Sequence, residues 1–218
     1  MKLTVSMITM NEEGAVAKVV EDIRRVAPGA EILLVDSSKD RTAEIAQELG
    51  CRVIKQFPPQ GYGPAMDRAV REASGDVVIT LDCDDTYPVE VIPELVQKIE
   101  DGFDLVNTTR VWRRPKAMPL ANFFANRFFA LAARILHGLK TTDVHSGMRA
   151  YRKSMIDAVA WNPRGPALPV DMYVIPFRRG YKTAEVPIDY RERIGTTTLH
   201  RFSSTIWTLR RLWRARRA

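Results

Sequence analysis

Over its first hundred residues the chain alternates short, continuously apolar runs with segments of helical periodicity, and no other feature restricts its fold as strongly. The runs LTVSMIT, EILLVD, CRVIKQ and DVVITLD have strand length. Between and after them come GAVAKVVEDIRRV, TAEIAQELG, GPAMDRAVREAS and VEVIPELVQKIEDG, with apolar residues at helical spacing. Strands that are apolar throughout need cover on both faces. Joined by helices, they predict a parallel α/β sheet with right-handed crossovers. Ligands of such sheets bind beyond the carboxyl ends of the strands. Three exits there are polar: TMNEEG, VDSSKDRT and LDCDDTYP.

Beyond residue 105 the pattern changes. The strand-like DLVNTT leads into a basic loop, RVWRRPKAMP, and then an amphipathic helix over 120–137. The segment DVHSGMRAYRKSMI, a proline-rich loop around NPRGPALP, a helix ending at Arg179, the strand KTAEVPIDYRE and a basic tail follow. No repeat or low-complexity linker separates these parts, so we expect one domain over 1–218, with an N-terminal half (1–105), a second half (106–198) and a C-terminal helix (199–218). Charge divides at nearly the same place: residues 1–109 hold 11 Lys and Arg against 20 Asp and Glu, residues 110–218 hold 22 against 6. An acidic half suits a cation, and a basic half suits phosphates, an anionic membrane or nucleic acid. Mutual attraction of the halves is the plainer alternative.

Composition narrows the setting. With 45% hydrophobic residues the 218-residue chain can bury a large core. Its two cysteines, Cys51 and Cys83, form neither a metal-ligand pattern nor a disulfide framework, so a reducing cytoplasm is expected. The amino terminus runs straight into a strand without a leader-like pattern. The apolar stretch FFANRFFALAARILHGL carries Arg127 and Arg134, which argues against a membrane span. The tail HRFSSTIWTLRRLWRARRA sets Phe202, Ile206, Leu209 and Trp213 at helical spacing with arginines on other faces, the pattern of an interfacial helix or of a terminal helix packed on the core with a solvated basic face. Phe123, Phe124, Phe128 and Phe129 could extend that surface or face the core.

The acidic exit carries the chemistry. Asp82, Asp84 and Asp85 directly follow an apolar strand, so their carboxylates converge and repel unless a cation or protons intervene. Mg²⁺ prefers such oxygen ligands and often combines one or two carboxylates with substrate phosphates. Asp85 or Thr86 reads equally as the cap of the helix near Pro88. A second exit ends in Asp36, placed to bond a base or ribose. Asp40 and Thr42 read as turn-closing residues.

The ordered set VSMITMNEEG, VDSSKDRT, QGYGPAMDRAVREASGDVVITLDCDDTYP, DVHSGMRAYR and EVPIDYRERIGTTTL resembles the family 2 glycosyltransferases of the GT-A fold, and among them the dolichol-phosphate mannose synthase and polyprenyl-phosphate hexose synthase branch. The resemblance covers nearly the whole chain. It implies a GT-A (Rossmann-like), mostly parallel sheet flanked by helices, with a C-terminal acceptor region. It also implies a donor site for a nucleotide-diphosphate sugar, GDP- or UDP-linked, formed by Thr9, Asn11, Glu13, Asp36, Tyr62, Asp82 and Arg193. Asp82 and Asp84 match the family's metal motif, for Mg²⁺ or Mn²⁺. Arg110, Arg127 and Ser146 fall at acceptor positions, and Asp84, Arg149 and Asp171 at catalytic ones. The chain departs from the lipid-phosphate pattern at Thr86, where Gln is frequent, and at Thr197 and Thr198, where Ser-Lys is usual.

Two acceptors remain open within that resemblance. A polyprenyl phosphate is already an anionic nucleophile and needs no base, whereas a hydroxyl acceptor benefits from one, for which Asp171 is the candidate. Asp171 reads equally as a helix cap. The expected setting is peripheral, on the cytoplasmic face of the membrane. A pI near 9.6 also raises nucleic-acid binding, but the acidic first half and the lack of a nucleic-acid motif argue against such a partner.

Overall fold

A computed structural model of the chain describes residues 1–165, 167–195 and 201–217; of residues 201–204 and 217 only the backbone is described. Thr197, Thr198 and the side chain of Phe202 lie outside the described residues.

The four apolar runs form β1 (Leu3–Thr9), β2 (Glu31–Asp36), β3 (Arg52–Lys55) and β4 (Val77–Asp82). They pair in parallel in the order β3-β2-β1-β4. Helices α1 (Val16–Val26), α2 (Thr42–Glu48) and α3 (Tyr62–Arg71) join them, and α4 (Ile92–Glu100) follows β4. Alternation of side chains splits the sheet between two cores, each buried aliphatic side chain contributing about 1.5–3 kcal/mol. Leu34, Ile79 and Leu81 pack with Val19, Ile23 and Leu95 on one face. Leu33 and Val78 face the other, against Met66 and Val70.

The second half adds three strands to the same sheet. β5 (Leu105–Thr109), β6 (Arg149–Arg152) and β7 (Thr183–Pro187) complete the order β3-β2-β1-β4-β6-β5-β7. β6 runs antiparallel to both neighbours, and β7 is parallel to β5. Four more helices follow in the chain: α5 (Leu120–His137), α6 (Lys153–Ala158), α7 (Leu168–Arg178) and α8 (Arg201–Arg214). α5 stops at Gly138, whose φ of 76° supplies the left-handed residue that ends the helix; its N–H bonds the Arg134 carbonyl at 2.9 Å. α5, α7 and α8 pack together over the second core through Phe129, Tyr173 and Leu212.

Register brings the polar exits together. Thr9 pairs with Asp36 across β1 and β2, and Ile8 pairs with Asp82 across β1 and β4. The three polar exits therefore open on one edge of the sheet.

Candidate active site

β4 ends at Asp82, and the chain then turns sharply. Asp84 Oδ1 accepts the Thr86 N–H at 3.1 Å and its hydroxyl at 2.6 Å, closing the turn from within. Asp85 takes φ 61° and pairs with Lys18 at 2.9 Å. The expected cap by Asp85 or Thr86 is thus corrected: the next helical turn starts after Pro88 with no side-chain cap. The segment after β7 lies across this turn, with Arg191 N–H bonding the Thr86 carbonyl at 2.9 Å and Ile194 N–H bonding the Asp84 carbonyl at 3.0 Å. Those bonds bring Arg193 Nη1 within 2.6 Å of Asp84 Oδ2, an ion pair without hydrogen-bond alignment.

Thr9, Tyr62, Asp82 and Arg193 line one cavity together with Glu12, Ser37 and Asp84. Asn11 and Glu13 do not reach it. Asn11 Oδ1 accepts the Lys39 N–H at 3.0 Å and Glu13 Oε2 the Arg41 N–H at 3.1 Å, so both tie the first strand exit to the second. The carboxylate that this loop sends into the cavity belongs to Glu12, whose own N–H is fixed to Thr42 Oγ1 at 2.9 Å. Sequence reasoning passed over it: of two adjacent glutamates, only the turn geometry decides which faces inward. Asp36 is fully buried beneath Ser37, held by Thr9 Oγ1 at 2.7 Å, Ser38 Oγ at 2.6 Å and Lys55 Nζ at 2.7 Å. Burial pushes its carboxyl up, but Lys55 and the two hydroxyls hold it below the ordinary range.

Negative charge accumulates in this cavity. Burial, and then Asp84, raise the Glu12 carboxyl to about 7. The same two causes raise Asp82 to about 6. Asp84 Oδ2 is buried with no aligned hydrogen bond, and Arg193 Nη1 stands 2.6 Å from it. A Cβ on Gly147 would stand 3.1 Å from Asp82 Oδ2 and 3.2 Å from the Tyr87 hydroxyl, so glycine there leaves room for that carboxylate. These features fit a hard divalent cation held by Asp82 and Asp84. Among the described residues no three His, Cys, Asp or Glu side chains form a metal-holding group, so further oxygens would come from the ligand.

A second cavity, of about 530 Å³, shares Tyr62, Asp82 and Arg193 with the first. Arg110 lines it, gripped by Asp143 at 2.7 and 3.1 Å and lying 5.4 Å from the Tyr190 ring centroid. His145 lines it as well, its Nε2 2.8 Å from Thr208 Oγ1 on α8; burial lowers its pKa to about 4, so it is neutral at pH 7. Asn126 and Phe129 of α5 close the far wall.

Other expected site residues stand elsewhere. Arg149 is 1% exposed and donates to Asn107 Oδ1 at 2.7 Å, the Val144 carbonyl at 2.9 Å and the Pro169 carbonyl, while lying over Tyr173. It reaches neither cavity; it stitches β5, β6 and α7. Ser146 is buried against Thr108 Oγ1 at 2.6 Å. Arg127 lies on α5 with Nη1 3.4 Å from the Val111 carbonyl, outside the second cavity's lining. Asp171 is no cap, since α7 starts after Ala167 with no side-chain cap bond. Its carboxylate is paired with Arg211 of α8 and lines a third cavity beside Trp161 and Trp207. Burial raises it to about 6 despite the guanidinium.

Comparison with known proteins places the fold and the family. Residues 4–160 match the family model described as glycosyl transferase family 2. The dolichyl-phosphate hexose transferase of Haloferax volcanii is 45% identical over 202 residues, which cover 92% of this chain and 88% of that protein. The dolichol-phosphate mannosyltransferase of Pyrococcus furiosus is 32% identical over 203 residues, 87% of this chain but only 56% of the relative. Other curated relatives, among them the low-salt glycan biosynthesis hexosyltransferase of Haloferax volcanii and an undecaprenyl-phosphate 4-deoxy-4-formamido-L-arabinose transferase of Pseudomonas fluorescens, are about twice as long as the matched region. Among solved structures, glucosyl-3-phosphoglycerate synthase from Mycobacterium tuberculosis superposes with a TM-score of 0.81 at 21% identity, over 98% of this chain and 79% of that one. The same enzyme in complex with Mn²⁺, UDP and glucosyl-3-phosphoglycerate gives 0.80. The fold is of the GT-A type, and the chain belongs to glycosyl transferase family 2.

Proposed function

We propose that this glycosyltransferase moves a hexose from a nucleotide-diphosphate sugar to a polyprenyl phosphate at a membrane surface. The carrying observation is that Asp82, Tyr62 and Arg193 line both cavities at once. A donor in the first and an acceptor in the second would then meet across those three side chains. Residues 1–105 supply most of the donor half, 106–195 the acceptor half together with Arg193 of the donor cavity, and the basic helix α8 would lie against the bilayer.

Thr9, Glu12 and Tyr62 shape the donor cavity, with Asp36 holding its floor. Asp82 and Asp84 are the residues to hold Mg²⁺ or Mn²⁺, which when bound offsets charge developing on the leaving diphosphate. Arg193, beside Asp84, is placed to do the same from the protein side. Arg110, rigid in its Asp143 clamp, presents a phosphate-binding fork in the acceptor cavity. The acceptor phosphate attacks the anomeric carbon in line, with inversion.

A hydroxyl acceptor is less well supported: Asp171, the candidate base, is neutralised by Arg211 and faces a different cavity. Liposomes carrying polyprenyl phosphate, incubated with UDP- and GDP-hexoses with and without Mn²⁺, test the reading. Transfer to lipid with one donor is expected, reduced at least about a hundred-fold in Asp84→Asn. Transfer only to soluble hydroxyl acceptors, abolished by Asp171→Asn, would sink it.

A further inference from the structure

α8 touches more than the acceptor cavity. Arg211, 4% exposed, pairs through Nη1 with Asp171 and donates through Nη2 to the Asn162 carbonyl at 3.0 Å and to the Arg164 carbonyl. One guanidinium thereby holds both α7 and the loop 161–165. Trp207, one turn earlier, seals the same loop: a Cβ on Gly165 would lie 3.0 Å from its ring.

The other side of that loop presses on α3. A Cβ on Gly63 would stand 1.8 Å from the Pro163 carbonyl oxygen and 2.6 Å from that of Gly165, so only glycine lets helix and loop approach this closely. Trp161 Nε1 donates to Asp67 of α3 at 2.7 Å, and Arg71 of α3 lies 4.9 Å from the Trp161 ring centroid. Gly61 and Tyr62, at the start of α3, line the donor cavity. A continuous packed path therefore runs from the C-terminal helix to the donor-cavity wall, ending at Gly61 and at Tyr62, which the acceptor cavity shares.

We infer that Arg211 is a positioning residue for the donor site: by clamping loop 161–165 against α3 it sets Gly61 and Tyr62, so that donor affinity depends on how α8 is seated. The inference rests on the donor reading of the first cavity. It also gives the Asp171 carboxylate a task, orienting Arg211, that needs no chemistry of its own. Anything that lifts α8, including its transfer onto or off a bilayer, would loosen the donor wall.

Three full-length variants test it. Arg211→Lys keeps a cation beside Asp171 but has no fork to bridge two carbonyls. Asp171→Asn/Arg211→Gln removes both charges, so neither is left buried alone. Arg211→Gln completes the set. In the first two, donor KM is expected to rise about five- to ten-fold with kcat at saturating donor within about two-fold. Hydrogen exchange over residues 57–71 should quicken while that over β1 and β4 stays as in the parent chain. Unchanged donor KM and unchanged exchange over 57–71 in both would overturn the inference, as would a fall in kcat with donor KM constant. Should Arg211→Gln alone fail to fold, the paired variant decides. Direct titration of the parent chain with UDP and GDP separates the two readings: if neither nucleotide binds, the donor assignment fails, and the exchange pattern alone judges the clamp.

Discussion

Single residues set the charge balance of the site. Glu12 and Asp82 have carboxyls raised to about 7 and about 6 from ordinary values of 4.5 and 3.8. Folding therefore takes up protons between those limits. The stability these two groups contribute is fully present below about pH 4 and is lost as pH rises through 6 and 7. In chelator-treated protein the melting temperature should consequently fall between about pH 5 and pH 7.5, and Asp82→Asn should remove the part centred near 6. Mn²⁺ should reverse the fall, since a cation bound to two carboxylates favours their ionised, folded form. A melting temperature indifferent to both pH and Mn²⁺ would show that these carboxylates neither titrate there nor hold the ion. Arg149 shows the converse: the motif marks it, yet its three buried acceptors make it a strut of the fold.

At the scale of elements, α5 and α8 each carry an apolar stripe that the fold leaves outside. On α5 it comprises Leu120, Phe124, Phe128, Leu131 and Ile135, from 49 to 73% exposed; on α8 it comprises Ile206, Leu209 and Trp213. Of the four phenylalanines read as facing either such a surface or the core, Phe129 is buried and Phe123 half-buried. Among the described residues no helix is long and apolar enough to cross a membrane; under the proposed function these stripes would lie along the bilayer surface. Burying one such side chain is worth about 1.5–3 kcal/mol, and about 1.4 kcal/mol is ten-fold in affinity. Replacing Phe124 and Phe128 by serine, or Ile206, Leu209 and Trp213 by serine, should weaken vesicle binding at least about ten-fold with the melting temperature nearly constant. Binding that survives both sets of changes would refute the role given to these helices. Both helices were legible in outline from periodicity, but which of their faces stays open depends on what α7 covers.

For the whole molecule, the acidic and basic halves meet in one sheet, since β6 and β5 extend the edge that β4 would otherwise leave open. Under the proposed function, the excess of basic residues in the second half would favour anionic lipid. Raising salt from about 0.1 M to about 1 M shortens the screening length from about 10 Å to about 3 Å. Sedimentation with vesicles should show binding to anionic bilayers falling steeply over that range and binding to zwitterionic ones changing little. Equal behaviour on both would leave the basic half without an electrostatic task at the membrane. Amino-acid order alone determined the alternation of strands and helices, the polar strand exits and the acidic turn after β4, because each is written in periodicity or in adjacent residues. Only the tertiary structure decided that Glu12 and not Glu13 enters the cavity, that Arg149 is walled in, that Asp171 answers to Arg211, and that β6 slots antiparallel beside β4. Those outcomes depend on contacts between segments tens of residues apart, where burial, register and the pairing of charges are settled by packing.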